Sequence, residues 1–195
     1  MDKVRTAILI SGRGTNMVAL AEAAKAPDFP AEIVTVVSNR PDAAGLLKAE
    51  GLGIKATCID HKDFKTRMSF EQALHQYLKD KDVELICCAG FMRVLTPWFV
   101  SRWEGRLINI HPSLLPKYKG INTHQRALEN GDTEHGCTVH FVTDEVDGGT
   151  IISQKEIKIA TDDTPVTLAD RLLPLENQIY PKALKRVANQ LQSRK

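Results

Sequence analysis

Asn109 and His111 sit two residues apart in Leu107-Ile108-Asn109-Ile110-His111-Pro112-Ser113. Residues 107–110 read as a buried strand that runs into a loop broken by Pro112 and Pro116. Strand side chains alternate between faces, so an amide and an imidazole emerge together at the strand's carboxyl end. Both can donate hydrogen bonds, and such a pair suits an oxyanion growing on a carbonyl carbon. A carboxylate, Asp147, stands in Asp144-Glu145-Val146-Asp147-Gly148-Gly149. Placed beside an imidazole, it would orient the ring and raise its pKa toward the charged form. The same glycine-rich run also reads as a plain turn. Ser11 and Ser113 lack a Ser-His-Asp arrangement. Cys58, Cys87, Cys88 and Cys137 lack paired CxxC spacing, so neither a metal nor a nucleophilic thiol is indicated. The chemistry that remains is acyl transfer by direct attack of a bound amine.

These groups need a scaffold, and the pattern supplies one. Short apolar strands are expected at 6–10, 32–38, 54–59, 83–89 and 107–110. Helices are expected at 17–25, up to about 50, at 67–79 and at 97–102. In the 67–79 helix Phe70, Leu74, Tyr77 and Leu78 recur at helical spacing. A helix at 123–130, stopped by Gly131, precedes strands at 138–142 and 151–155, which are expected to pair as an antiparallel edge. A final helix fits 165–192, with Pro174 expected to kink or split it and to disturb the placement of Glu176. The alternation predicts an α/β fold: a Rossmann-like, mostly parallel twisted sheet with helices on both faces and an antiparallel edge pair in its carboxyl-terminal part. With the first and fourth strands at the switch point, three features share one rim. They are the loop Ser11 to Asn16, the loop Phe91-Met92-Arg93, and the pair Asn109/His111.

The loop Ser11-Gly12-Arg13-Gly14-Thr15-Asn16 follows a strand and opens a helix, where backbone N–H groups and the helix dipole favour an anion. No Gly-Lys-Ser/Thr follows, which removes a nucleotide P-loop. Met17 stands where a dinucleotide fingerprint needs its third glycine, although Asn39-Arg40 keeps an NADP reading open. A tight turn without a ligand is the plain alternative. His61 and His75 read as solvent-facing, His140 as a residue of a sheet face, and His124 and His135 as neighbours of the site without an obvious partner.

The chain has 195 residues, enough for one domain with a full core. A net charge of +2 gives no reason to expect nucleic acid as a partner. No run approaches the ~18 apolar residues of a membrane span, and the cytoplasm is the expected compartment.

Taken in order, several segments resemble the phosphoribosylglycinamide formyltransferase group of the folate-dependent formyltransferases, across nearly the whole chain. They are the glycine loop, Ala89-Gly90-Phe91-Met92-Arg93-Val94-Leu95, the run Asn109 to Pro116, His135-Gly136-Cys137-Thr138-Val139-His140, and Asp144 to Gly149. The resemblance implies formyl transfer from 10-formyltetrahydrofolate to glycinamide ribonucleotide in de novo purine (IMP) biosynthesis, with no metal and with a homodimer left open. It implies a catalytic set of Asn109, His111 and Asp147. Gly12, Arg13, Gly14, Thr15, Asn16 and Glu176 would bind the ribonucleotide. Arg67, Met92, Arg93, Val94, Leu95, Asn109, Thr143, Asp144, Glu145, Val146 and Asp147 would face the folate. It further implies a phosphate-binding half at about 1–100, a folate and catalytic half at about 85–195, and a cis Leu115–Pro116 bond. Lys119 and Thr150 depart from prolines common in the family. The related formyltetrahydrofolate hydrolases and methionyl-tRNA formyltransferases carry an extra domain, which a chain of 195 residues is not expected to hold.

Overall fold

The computed structural model describes residues 2–194. The described elements are, in order, β1 (Val4–Ile10), α1 (Thr15–Ala24), β2 (Ala31–Ser38), α2 (Ala44–Gly51), β3 (Ala56–Cys58), a 3-10 turn (His61–Asp63), α3 (Arg67–Asp80), β4 (Leu85–Cys88), α4 (Pro97–Arg102), β5 (Leu107–His111), α5 (Thr123–Glu129), β6 (Glu134–Phe141), β7 (Ile151–Lys158) and α6 (Pro165–Gln192). The strands form one seven-stranded sheet in the order β3-β2-β1-β4-β5-β6-β7. Pairings from β3 to β5 are parallel; β5/β6 and β6/β7 are antiparallel. This is the expected α/β class, with the order reversing between β1 and β4 as anticipated. No helix among the described residues is long and apolar enough to cross a membrane.

Alternation along the strands divides the core. Val4, Ile8 and Ile10 of β1 face α1 and α6, where Met17, Leu20, Leu172, Tyr180 and Leu184 are buried. Ala7 and Leu9 face α3 and α4, against Phe70, Leu74, Leu78, Phe99 and Trp103. Strands covered on both faces read as continuous apolar runs, as β1 and β4 do. β7 is the exposed edge, and its Lys155, Glu156 and Lys158 discourage pairing with another chain.

The last helix departs from expectation. It runs unbroken from Pro165 to Gln192 through Pro174 and Pro181. Pro174 and Asp170, the residue whose carbonyl loses its helical partner, are both exposed, so water can satisfy that carbonyl. The opposite face is held down by Tyr180, whose hydroxyl donates to the carbonyls of Cys88 and Ile108 at 2.9 and 3.2 Å. Glu176 lies one turn before Tyr180 on the same helix face and is therefore aimed, not displaced.

The glycine loop closes by backbone contact. Gly14 takes φ +70°, and a Cβ on it would stand 2.8 Å from the Cα of Gly45 in α2. Gly45 N–H donates to Gly12 O at 2.9 Å, and a Cβ on Gly45 would stand 2.5 Å from Ile10 Cδ1. Glycine to alanine in a helix normally stabilises by ~1 kcal/mol. Here the sign reverses: Gly45→Ala is expected to lower stability by about 1–3 kcal/mol through overpacking. Gly12→Ala meets nothing within 4 Å and should fall within ~0.5 kcal/mol of the parent. Urea midpoints check both; a raised midpoint for Gly45→Ala would show that the crossing is loose.

Candidate active site

The carboxyl ends of β1, β4 and β5 meet at a cleft of about 800 Å³. Its lining includes Asn109, Ile110 and His111 from β5, residues 90–95 after β4, residues 120–124, His140, residues 142–147, Asn16 and Glu176. A cleft of this volume accommodates a drug-sized ligand with room for a second group.

β5 is the local cause of the pairing of amide and imidazole. Ile108 and Ile110 belong to one core, whereas Leu107 belongs to the other, so Asn109 and His111 share the face of Leu107. Antiparallel pairing then sets Asn109 opposite His140 and His111 opposite Thr138. Asn109 Nδ2 lies 3.3 Å from His140 Nε2, while His140 Nδ1 lies 2.8 Å from the Phe141 carbonyl oxygen. The tautomer that satisfies both carries its proton on Nδ1 and accepts from the Asn109 amide.

Asp147 arrives from the β6–β7 connection. Gly149 makes that possible: a Cβ there would fall 1.8 Å from the Phe141 carbonyl oxygen. The turn and the approach of a carboxylate to His111 are thus compatible, because the turn delivers Asp147 to the ring. Asp147 Oδ2 accepts from the Gly120 N–H at 2.8 Å and lies 3.4 Å from His111 Nδ1; its Oδ1 lies 3.5 Å from His140 Nε2. Asp147, Tyr118 and Asn122 have φ of +51°, +57° and +58°. Three of the four non-glycine left-handed residues among those described therefore border one site, the fourth being Asp82. Strained backbone gathers where side chains must be aimed. The Leu115–Pro116 bond is cis, as the resemblance implied.

The charge state of His111 differs from the expectation. Burial lowers its pKa, outweighing the Tyr118 carbonyl and the Asp147 carboxylate, which both act to raise it. The ring is therefore neutral near pH 7, with Nε2 2.9 Å from Tyr118 O and available to donate to it. Burial also works to raise the Asp147 pKa. The neighbouring ring of His140, then the Gly120 N–H and the His111 imidazole, outweigh it and leave Asp147 below the usual carboxylate range.

Of the other expected residues, Met92, Arg93, Val94, Leu95 and Thr143 to Val146 all line the cleft. Asn16 does too, and its Nδ2 donates to Glu176 Oε2 at 2.7 Å. Burial pushes the Glu176 pKa up, with Asn16 acting against it. Gly12, Arg13, Gly14 and Thr15 are absent from the lining and continue from Asn16 along the same loop. Arg67 opens α3 on the exposed surface and is not brought to the cleft. Lys119, one of the departures, pairs with Glu145 at 2.5 Å and ties two cleft loops together. Arg40, the basis of the NADP reading, is engaged by Asp42 at 2.7 Å.

Sequence reasoning missed His140 as a member of the site; only the β5/β6 register exposes it. It also misread four histidines. His61 Nδ1 lies 2.9 Å from Asn39 O, and His75 packs edge-on against Trp98 and Trp103. His135 is buried beside His124 at 3.1 Å. Among the described residues no cluster of three or more His, Cys, Asp or Glu is arranged to hold a metal ion.

A family model described as "Formyl transferase" matches residues 4–184. The chain belongs to the formyl transferase family. The family resemblance read from the motifs is met. Its chain is 45% identical to the phosphoribosylglycinamide formyltransferase of Haemophilus influenzae, over 93% of this chain and 85% of that protein. It is 50% identical to the trifunctional purine biosynthetic protein adenosine-3 of Gallus gallus, over 96% of this chain but only 19% of that much longer protein. The solved phosphoribosylglycinamide formyltransferase of Brucella melitensis superposes with a TM-score of 0.92 at 46% identity, covering 96% of both chains. The fold of family members is thus the fold described above.

A test follows from the buried histidine pair. Burial first, then the proximity of His124, lowers the His135 pKa to about 4. The unfolded chain binds this proton near pH 6.5 and the folded chain does not, so stability is full above ~6.5 and falls as pH drops toward 4. The loss at this site is expected to reach on the order of 2 kcal/mol, and His135→Gln should flatten that part of the urea-midpoint profile. An unaltered profile in the variant would assign the acid loss to other groups.

Proposed function

We propose that this chain transfers a formyl group from 10-formyltetrahydrofolate to the amine of 5′-phosphoribosylglycinamide, a step of purine biosynthesis. The observation that carries this reading is the meeting of Asn109, His111, His140 and Asp147 in the cleft of a formyl transferase family member. The names of the relatives point to the same acceptor.

In this reading the amino-terminal half supplies the acceptor end. The Gly14-Thr15-Asn16 loop holds the phosphate through first-turn N–H groups that have no partner within the helix. Glu176, half-buried, accepts from ribose hydroxyls. The carboxyl-terminal half supplies the formyl-donor side, where Met92 and Val94 expose apolar surface and the 143–147 loop closes over the pterin.

The amine attacks the formyl carbon and forms a tetrahedral intermediate. Asn109 donates its amide N–H to the oxyanion, with the ring of His140 holding that amide in place. His111 enters neutral and takes the proton released by the attacking nitrogen. The imidazolium so formed sets its positive charge beside the oxyanion and is balanced by Asp147. When the carbon–N10 bond breaks, the proton passes to N10, through water, and His111 returns to its neutral state. Holding both cosubstrates in one cleft contributes a further, entropic share of the acceleration.

Formyl-donor consumption measured with and without the ribonucleotide tests the reading directly. Consumption only with the acceptor is expected; consumption with water alone would assign a hydrolase. Asn109→Ala should lose roughly 10²–10³ in turnover, as for one missing oxyanion donor. In the free enzyme, His111 should titrate below pH 6.5 by NMR, and Asp147→Asn should lower that value further while cutting turnover by about 10² or more. A His111 titration unmoved by Asp147→Asn would remove the carboxylate from the mechanism.

A further inference from the structure

The loop from Gly90 to Leu95 lines the cleft without regular structure of its own, yet it is pinned at both ends by buried polar groups. At its start, the Ser11 N–H donates to Gly90 O at 3.1 Å, and Ser11 Oγ accepts from the Met92 N–H at 2.8 Å. Ser11 Oγ in turn donates to Asn39 Oδ1 at 2.5 Å. At its end stands Glu71, on the inner face of α3. Glu71 is 1% exposed, and its carboxylate has no ion-pair partner among the described residues. Its hydrogen bonds come from one residue: the Thr96 N–H at 2.8 Å and the Thr96 hydroxyl.

A buried carboxylate without a cation is costly, and a fold that needed only to join α3 to α4 could do so with apolar side chains. Thr96 adds a second anomaly. It occupies the N-cap of α4, where a threonine hydroxyl ordinarily accepts from a first-turn N–H for ~1 kcal/mol. Its hydroxyl makes no such bond and is spent on Glu71 instead. Two local rules are broken at one contact, and that contact sets the register of the loop that carries Met92, Arg93, Val94 and Leu95. Met92 and Val94 project apolar surface, 70% and 54% exposed, along this loop.

We propose that Glu71 is a positioning residue for the formyl-donor side of the cleft: through Thr96 it holds the 92–95 loop in the geometry that receives the planar ring system of the folate. The inference rests on the proposed function and deepens it. Glu71 touches no substrate; it acts through the loop.

The test uses the full chain with Thr96→Val, which keeps the backbone N–H and removes the hydroxyl, with Thr96→Ser, which restores it, and with Glu71→Ala. Binding of 10-formyltetrahydrofolate is read by calorimetry, KM for the ribonucleotide by initial rates, and unfolding by a thermal scan. Thr96→Val is expected to weaken folate binding about tenfold, with the ribonucleotide KM within about twofold of the parent and Thr96→Ser near the parent in both. Glu71→Ala, if it folds, should weaken folate binding at least as much; if it does not, Thr96→Val decides. A lowered melting temperature with unchanged folate affinity in Thr96→Val would overturn the inference and leave Glu71 as a tie between helices. Absence of folate binding by the parent chain would overturn the proposed function and this inference together.

Discussion

The carboxylate of Asp147 is the contact on which the site depends. It is held by the Gly120 N–H and faces His111 and His140, so one group joins the loop after β5, β6 and the loop after β6. A buried anion in that position is tolerable only because donors surround it. Remove it, and two imidazoles are left facing each other in a buried space, with Gly120 without its acceptor. The left-handed backbone at Tyr118, Asn122 and Asp147 is the conformational cost of bringing these segments together.

Burial governs the chemistry as much as charge does. A carboxylate 3.4 Å from an imidazole normally implies a protonated ring, yet burial of His111 outweighs that attraction. A neutral His111 can accept a proton, and once charged it has its counterion already in place. The same desolvation raises Glu176 and lowers His135. At these three groups burial outweighs pairing, whereas at Asp147 pairing outweighs burial.

The scaffold serves this site from a distance. Tyr180 anchors α6 across β4 and β5 and thereby aims Glu176 at Asn16. The Gly14–Gly45 crossing folds the glycine loop against α2. Ser11 and Glu71 fix the two ends of the 90–96 segment, Ser11 from the end of β1 and Glu71 from α3. Each of these four contacts fixes where a segment bordering the candidate site stands.

Much of this was legible in the chain itself. Apolar runs and their punctuation located every strand to within a few residues, and period-two alternation put Asn109 and His111 on one face because strand geometry is local. The β1/β4 switch point and the choice of cleft followed from the order of elements. What sequence could not supply depended on contacts between distant segments. His140 enters the site only through the antiparallel register that sets it opposite Asn109. Pro174 leaves α6 whole because packing of the opposite face outweighs one lost hydrogen bond at an exposed carbonyl. Arg67 stays outside the cleft because α3 begins on the exposed surface, and the charge on His111 is set by how much water its neighbours exclude. Residue type and spacing are properties of the chain; register, burial and desolvation arise only once distant segments pack, and those decided how the side chains already visible in the sequence can act.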